Sequence, residues 1–271
     1  MIPLDFIAEW RAHAPWTRDF HVEQDLLITR AVIEMFARPE IARALAFRGG
    51  TALYKLHITP APRYSEDIDL VQTEPGPIGD TLTAVRAALD PWLGAPKRSF
   101  NEGRVTLIYR MTSEGAPALP LRLKVEINSR EHFAVYGFEE RTLAMNSRWF
   151  AGAAPVRTYA LDELLGTKLR ALYQRKKGRD LFDLWIAGRR RSVDPARVVE
   201  CFRRYLGHEG APISRAEFES NLHEKFADPA FGRDLAPLLA AGVEWDLSAA
   251  ANYLRREYLP LLPGEPWKGG E

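Results

Sequence analysis

Two short blocks decide the fold reading: Phe47-Arg48-Gly49-Gly50-Thr51-Ala52-Leu53, and Arg63-Tyr64-Ser65-Glu66-Asp67-Ile68-Asp69-Leu70. The first is a paired-glycine turn with a short helix expected over Ala52 to Leu56. Glycine lets a backbone approach a partner closely, and a helix N-terminus favours anionic oxygens such as those of a phosphate. The second block reads as a loop passing into a strand that runs on to Gln72, with Ile68, Leu70 and Val71 giving it β character. Side chains alternate along a strand, so Asp67 and Asp69 point to one face. Two carboxylates there repel one another unless a cation or strong donors compensate. Magnesium suits them, being a hard ion that takes carboxylate and phosphate oxygens. Asp-x-Asp pairs also occur in sugar transferases, calcium loops and solvated turns, so the pair alone does not choose among these.

Upstream, Leu26, Leu27, Val32, Ile33, Phe36, Ile41 and Leu45 recur at helical spacing, which predicts one or two helices over Val22 to Leu45. Downstream, residues 79–93 read as helical. Arg104 to Met111 and Leu121 to Asn128 read as strands, joined by a link containing Gly115, Pro117 and Pro120. Glu126 faces away from its apolar neighbours Val125 and Ile127, and joins the two aspartates if their strands are adjacent. Three carboxylates support a two-metal arrangement for phosphoryl or nucleotidyl transfer. Thr51 is a candidate phosphate donor or helix cap. Arg48, Arg63 and Ser65 flank the loops as candidate phosphate or base contacts.

The composition changes after Pro155. Ala160 to Arg175 and Asp180 to Ala187 read as helices separated at Gly178, and helical patterns continue to about Tyr258. The expected division is a mixed α/β half at 1–155 and a helical half at 156–271 that completes the cleft. Lys168 lies on the apolar stripe of Leu161, Leu164, Leu165, Leu169 and Leu172. A lysine there is costly unless its ammonium reaches water or an anion, such as the phosphates of a nucleoside triphosphate. Asp180 reads equally as a helix N-cap. From Lys168 to Arg191 nine Lys or Arg residues stand against two Asp, a run suited to an RNA backbone or to an ordinary solvated helix surface.

With 271 residues, 46% hydrophobic and 27% charged, the chain has material for one large or two modest cores. A formal charge of +1 gives no overall attraction to nucleic acid, so any such binding rests on local distribution. Cys201 is the single cysteine, which excludes an internal disulfide. Asp5 and Glu9 interrupt any signal pattern at the N-terminus, and no run approaches the roughly 20 apolar residues of a membrane span. The expectation is a cytoplasmic protein with no membrane association. The six histidines lack metal-ligand spacing, and no Ser-His-Asp arrangement is legible.

The glycine turn, the Asp-x-Asp strand and the later acidic strand follow in the order of the polymerase-β-like nucleotidyltransferases. The two opening blocks resemble more closely the AbiEii family of toxin nucleotidyltransferases, which includes the MenT toxins. Leu164-Leu165-Gly166-Thr167-Lys168 and Gly178-Arg179-Asp180-Leu181-Phe182-Asp183-Leu184 are similar to its downstream motifs. The resemblance covers residues 47–185. It implies a polymerase-β-like α/β (α+β) core with a mixed sheet, followed by a helical C-terminal domain. It implies a toxin of a toxin–antitoxin or phage-defence pair, with a cognate antitoxin as partner. The activity implied is magnesium-dependent transfer of nucleotides from a triphosphate to the 3′ acceptor end of tRNA. On that basis Asp67, Asp69 and Glu126 are metal ligands; Arg48, Gly49, Gly50, Thr51, Ser65 and Lys168 hold the nucleotide; and Asp180 orients Lys168 or the acceptor hydroxyl. Glu126 stands where the family often has aspartate. Two other readings stay open: a small-molecule nucleotidyltransferase resembling the aminoglycoside-modifying enzymes, and a non-catalytic module that binds nucleotide or a partner.

Overall fold

The helical spacing over Val22 to Leu45 resolves into two helices, the long α2 (Asp19–Phe36) and α3 (Pro39–Ala44), and a further helix, α1 (Leu4–Trp10), precedes them. Pro39 sits in the first turn of α3, where a missing N–H leaves no bond unmade. Leu45 then adopts extended geometry, and Leu45–Arg48 forms strand β1 where the sequence predicts a helix end and a turn. The computed structural model describes residues 2–101, 103–210 and 212–269. Its chain packs as two compact units, Met1–Tyr159 and Ala160–Glu271.

Helix α4 (Gly49–Ala52) starts at the glycines themselves, earlier than the expected helix at Ala52, and passes into a π-helical turn, Leu53–His57. Strand β2 (Asp67–Gln72) and helix α5 (Gly79–Leu93) lie where the sequence places them. Then come β3 (Lys97–Asn101), β4 (Arg104–Thr112), β5 (Pro120–Asn128), β6 (Phe138–Asn146) and β7 (Ala151–Tyr159). The strands form one mixed sheet in the order β3-β4-β5-β2-β1-β7-β6. Strand β2 runs antiparallel to β1 and parallel to β5, and β1 is parallel to β7. This is an α/β fold.

Burial alternates along the strands. In β5, Leu121, Leu123, Val125 and Ile127 are buried, while Arg122, Lys124, Glu126 and Asn128 are not. Val105, Leu107 and Tyr109 of β4 and Ile68 and Leu70 of β2 belong to the same buried set. Helices α2 and α5 pack on these strands. Each Leu or Ile fully withdrawn from water there contributes about 1.5–3 kcal/mol. The opposite face of β2, β5 and β4 keeps its polar side chains available.

The second unit is built from α6 (Leu161–Gln174), α7 (Gly178–Arg190), α8 (Pro195–His208), α9 (Arg215–Ala227) and α10 (Leu247–Glu257). Asp194 caps α8 by accepting from the Ala196 and Arg197 N–H groups, and Ser214 with Glu217 forms a capping box on α9. Helices α6 and α8 pack against each other so closely that a Cβ at Gly166 would stand 2.9 Å from the Val198 carbonyl oxygen. The Lys225 ammonium closes the C-terminal end of α6, donating to the carbonyls of Leu172 and Tyr173 and to Asn221. Among the described residues, no helix is long and apolar enough to cross a membrane.

Candidate active site

Parallel pairing of β2 with β5 sets Asp67 opposite Lys124 and Asp69 opposite Glu126. Cross-strand partners project to the same side, so Asp67, Asp69, Lys124 and Glu126 share the open face. The Lys124 ammonium lies 2.9 Å from Glu126 Oε2 and 3.7 Å from Asp67 Oδ2. Arg104 Nε approaches Glu126 Oε1 at 3.2 Å. Burial raises the Asp67 carboxyl above its ordinary pKa; Lys124 opposes the shift, while Glu66 and Glu126 add to it. Burial disfavours the Lys124 charge, yet the hydrogen bond to Glu126 and the fields of Asp67 and Asp69 lift its pKa.

As a metal-binding set, Asp67 and Asp69 offer hard oxygen donors on one face, with like charge crowded around a half-buried carboxyl. That is the donor chemistry a hard divalent cation requires. Glu126, expected as the third ligand, is held by Lys124 and Arg104. Among the described residues, no three His, Cys, Asp or Glu side chains gather into a metal-binding group.

The glycine turn stands against this pair. Arg48 of β1 is the register partner of Asp69, and Gly49 follows it at φ +81°. A Cβ at Gly49 would overlap Asp69 Oδ2, so both the backbone angle and the space require glycine. Gly49→Ala is expected to cost about 1–2 kcal/mol from the left-handed backbone alone, with Asp69 displaced as well. A thermal melt and an activity assay read the two effects separately; unchanged activity in the variant removes Gly49 from the site.

Gly50 and Thr51 are buried in α4. The Thr51 hydroxyl lies 2.6 Å from the Asp67 carbonyl and 2.9 Å from Ser65 Oγ. A carbonyl only accepts, so Thr51 spends its one proton there and receives one from Ser65. Thr51 therefore ties the glycine turn to the first residue of β2, and it does not cap α4. Arg48 forms an ion pair with Glu131. Burial works against the Arg48 charge, but Glu131, Tyr159 and Asp69 raise its pKa beyond the usual guanidinium value. Arg63 is buried, donates to the Tyr64 carbonyl at 2.9 Å and lies 4.9 Å over the Tyr54 ring. Both arginines, read from sequence as phosphate contacts, thus have partners within the protein.

Tyr64, between Arg63 and Ser65, stacks on His21 of α2 at 3.9 Å. Burial, with Arg18 nearby, lowers the His21 pKa to about 4. An unfolded His21 takes up its proton near the ordinary 6.5, whereas the folded one resists until about 4. The unfolded chain therefore binds more protons within that window. This contribution to stability is present above pH 6.5 and is lost as pH falls toward 4. The melting temperature is expected to drop across this range more steeply in the parent than in His21→Phe, which keeps the stack. Equal slopes in the two proteins would show that another group carries the acid sensitivity.

In the second unit, Lys168 is 7% exposed and its ammonium lies 2.9 Å from Asp183 Oδ2 and 3.6 Å from Asp180 Oδ1. Both carboxylates are completely buried. Arg175 holds the other side of Asp180 in a bidentate pair at 2.7 and 2.8 Å. Asp180 does not cap α7, whose N-cap is Lys177; it sits inside the first turn and faces Lys168. The basic run from Lys168 to Arg191 is not a continuous free surface, because Arg170 pairs with Glu209 and Lys176 with Asp228. Asp183, Lys124 and Glu131 are the site neighbours that sequence reading passes over. Asp183 falls one helical turn after Asp180, and Lys124 two strand residues before Glu126, so periodicity marks both; nothing local marks Glu131.

Residues 30–253 match the family described as Nucleotidyl transferase AbiEii toxin, Type IV TA system. Among solved structures, the chain is similar to MenT4, a nucleotidyltransferase toxin of Mycobacterium tuberculosis H37Rv, at 15% identity. The TM-score is 0.57, with 97% of this chain and all of that one covered. It is similar also to JHP933 of Helicobacter pylori, at 16% identity and a TM-score of 0.51, covering 88% of this chain and 89% of that one. A putative nucleotidyltransferase of H. pylori gives the same identity and TM-score, covering 88% and 92%. These likenesses establish a shared fold. No curated protein matches the chain in sequence.

Proposed function

From the premise that this chain belongs to the AbiEii family of nucleotidyl transferase toxins of type IV toxin–antitoxin systems, we propose that it transfers nucleotides from a nucleoside triphosphate to the 3′ end of tRNA. The observation that carries the proposal is the shared open face of Asp67, Asp69 and Glu126, with the Gly49 backbone pressed against Asp69. The acceptor's 3′ oxygen attacks the α-phosphorus, the bond to the β-phosphate breaks, and pyrophosphate leaves. Asp67 and Asp69 would hold magnesium, which when bound neutralises phosphate charge and polarises the reacting phosphoryl group. Glu126 takes the hydroxyl proton, since its two ion pairs leave carboxylate lone pairs unused. Thr51 and Ser65 fix the glycine turn whose backbone at Gly49 and Gly50 receives the triphosphate. In the second unit Lys168, set by Asp180 and Asp183, would supply a cation for phosphate. The chemistry is positioning and charge stabilisation without a covalent intermediate.

Blocking acceptor ends would stop translation in the cytoplasm, and a cognate antitoxin would restrain it. The test incubates the protein and magnesium with each labelled triphosphate and total tRNA. Label passing to tRNA with the parent and not with Asp69→Ala supports the proposal. Label passing to a small hydroxylated acceptor instead supports the second reading, which the internal pairing of Arg170, Arg175 and Lys176 favours. Triphosphate bound but never consumed would leave only a binding module.

A further inference from the structure

The antiparallel register of β4 and β5 sets Arg110 directly opposite Arg122. Like charges in directly opposed positions destabilise a sheet, so an anion bound nearby would relieve this pair. Arg122, with its side chain 65% exposed, has a distant one, Glu66 at 3.8 Å. Arg110 is exposed and, among the described residues, has no acidic partner. Along the next row, Lys97 of β3 opposes Ile108, and Ile108 opposes Lys124, the neighbour of Asp67. Lys97 is likewise exposed and unpaired among the described residues. Cross-strand partners share a side, so Lys97, Arg110, Arg122 and Lys124 stand on the same face as Asp67 and Asp69. The strand order carries this cationic strip from β2 to the sheet edge at β3, three strand spacings or about 14 Å.

We infer that this face of β3, β4 and β5 is the track along which the backbone of a single-stranded RNA 3′ end reaches the aspartates. The inference rests on the nucleotidyl-transfer reading and moves the RNA-binding surface away from the basic run at Lys168 to Arg191. Three observations select a polyanion: the opposed arginines, the lysine without a counter-charge, and the continuity of the strip with the carboxylate pair. The shape is that of an open sheet face, and spaced exposed cations bind phosphates largely without regard to sequence.

The test measures binding of a short 5′-labelled single-stranded RNA by fluorescence anisotropy at several salt concentrations. Lys97→Gln, Arg110→Gln and Arg122→Gln together are expected to weaken binding roughly 10- to 100-fold. The slope of log Kd against log salt is expected to fall by about 2, at about 0.7 for each phosphate no longer neutralised. A control, Arg203→Gln with Arg204→Gln on the exposed part of α8, removes charge elsewhere and is expected to leave both quantities unchanged. Arg110→Gln alone relieves the like-charge pair, so it is expected to keep or raise the melting temperature while weakening RNA binding several-fold. Parent-like affinity and slope in the triple variant would overturn the inference even if label transfer to tRNA succeeds. Equal losses in the control would overturn it too, as would a parent that binds no RNA. Weakened RNA binding alongside a parent that transfers no label would keep the surface and sink the reaction.

Discussion

Asp69→Ala is expected to lower nucleotidyl transfer on the order of 10³-fold or more while leaving the melting curve near that of the parent. The fold should survive because Asp69 lies on the open face, whereas its strand neighbours Ile68 and Leu70 are the buried ones. The reaction should not survive, because Asp69 touches the glycine turn and pairs in register with both Arg48 and Glu126. Charge stabilisation worth several kcal/mol is lost with the carboxylate, and each 1.36 kcal/mol is a factor of ten in rate. Asp69→Asn separates charge from shape. It fills the same space, so an equal loss assigns the effect to the charge, and a partial loss to geometry. Transfer at the parental rate by purified Asp69→Ala would remove Asp69 from the mechanism.

Lys168→Ala is expected to damage the protein in two ways that can be pulled apart. Its ammonium is the counter-charge for Asp183 and part of that for Asp180, both completely buried. Removing one partner of a buried ion pair costs about 3–5 kcal/mol, against a total stability of about 5–15 kcal/mol for a domain. A large fall in melting temperature therefore accompanies any loss of transfer in the single variant. Lys168→Ala combined with Asp183→Ala removes the stranded charge, while Arg175 continues to hold Asp180. The double variant is expected to regain most of the stability and none of the transfer. Recovery of both would make Lys168 a structural cation alone.

The parts of the architecture legible in sequence are those with a local signature. Alternation exposes β4 and β5, glycine pairing marks the turn, and the leucine stripe marks α6. Strand β1 is hidden because Leu45, Ala46 and Phe47 are all buried without alternating, and Leu45 falls at helical spacing from Ile41 of α3. Strand β7 is hidden because Ala151, Gly152, Ala153, Ala154 and Pro155 are poor strand formers, held extended by pairing with β6. The carboxylate set is legible only conditionally: Glu126 joins Asp69 because β2 and β5 are neighbours, and adjacency is a tertiary fact. Counting charge fails for the basic run, since composition does not tell that Glu209 and Asp228 return to neutralise Arg170 and Lys176. It fails in the other direction at Arg110 and Arg122, which are unremarkable in sequence and become a pair only through register.

The order of strands also dictates when the molecule becomes complete during synthesis. β1, which delivers the glycine turn, is flanked by β2 and by β7, and the Thr158 hydroxyl closes on the Phe47 carbonyl from 111 residues downstream. At about 5–20 residues per second, a ribosome takes roughly 5–20 s to make that intervening stretch. Once Asp69 is made, and until Thr158 follows, the nascent chain holds both aspartates but lacks the outer rail of the turn that faces them. Such distant strand pairings also slow folding once the chain is free. The β1 edge that β7 later covers therefore stays unpaired on that side until the last strand of the sheet is made.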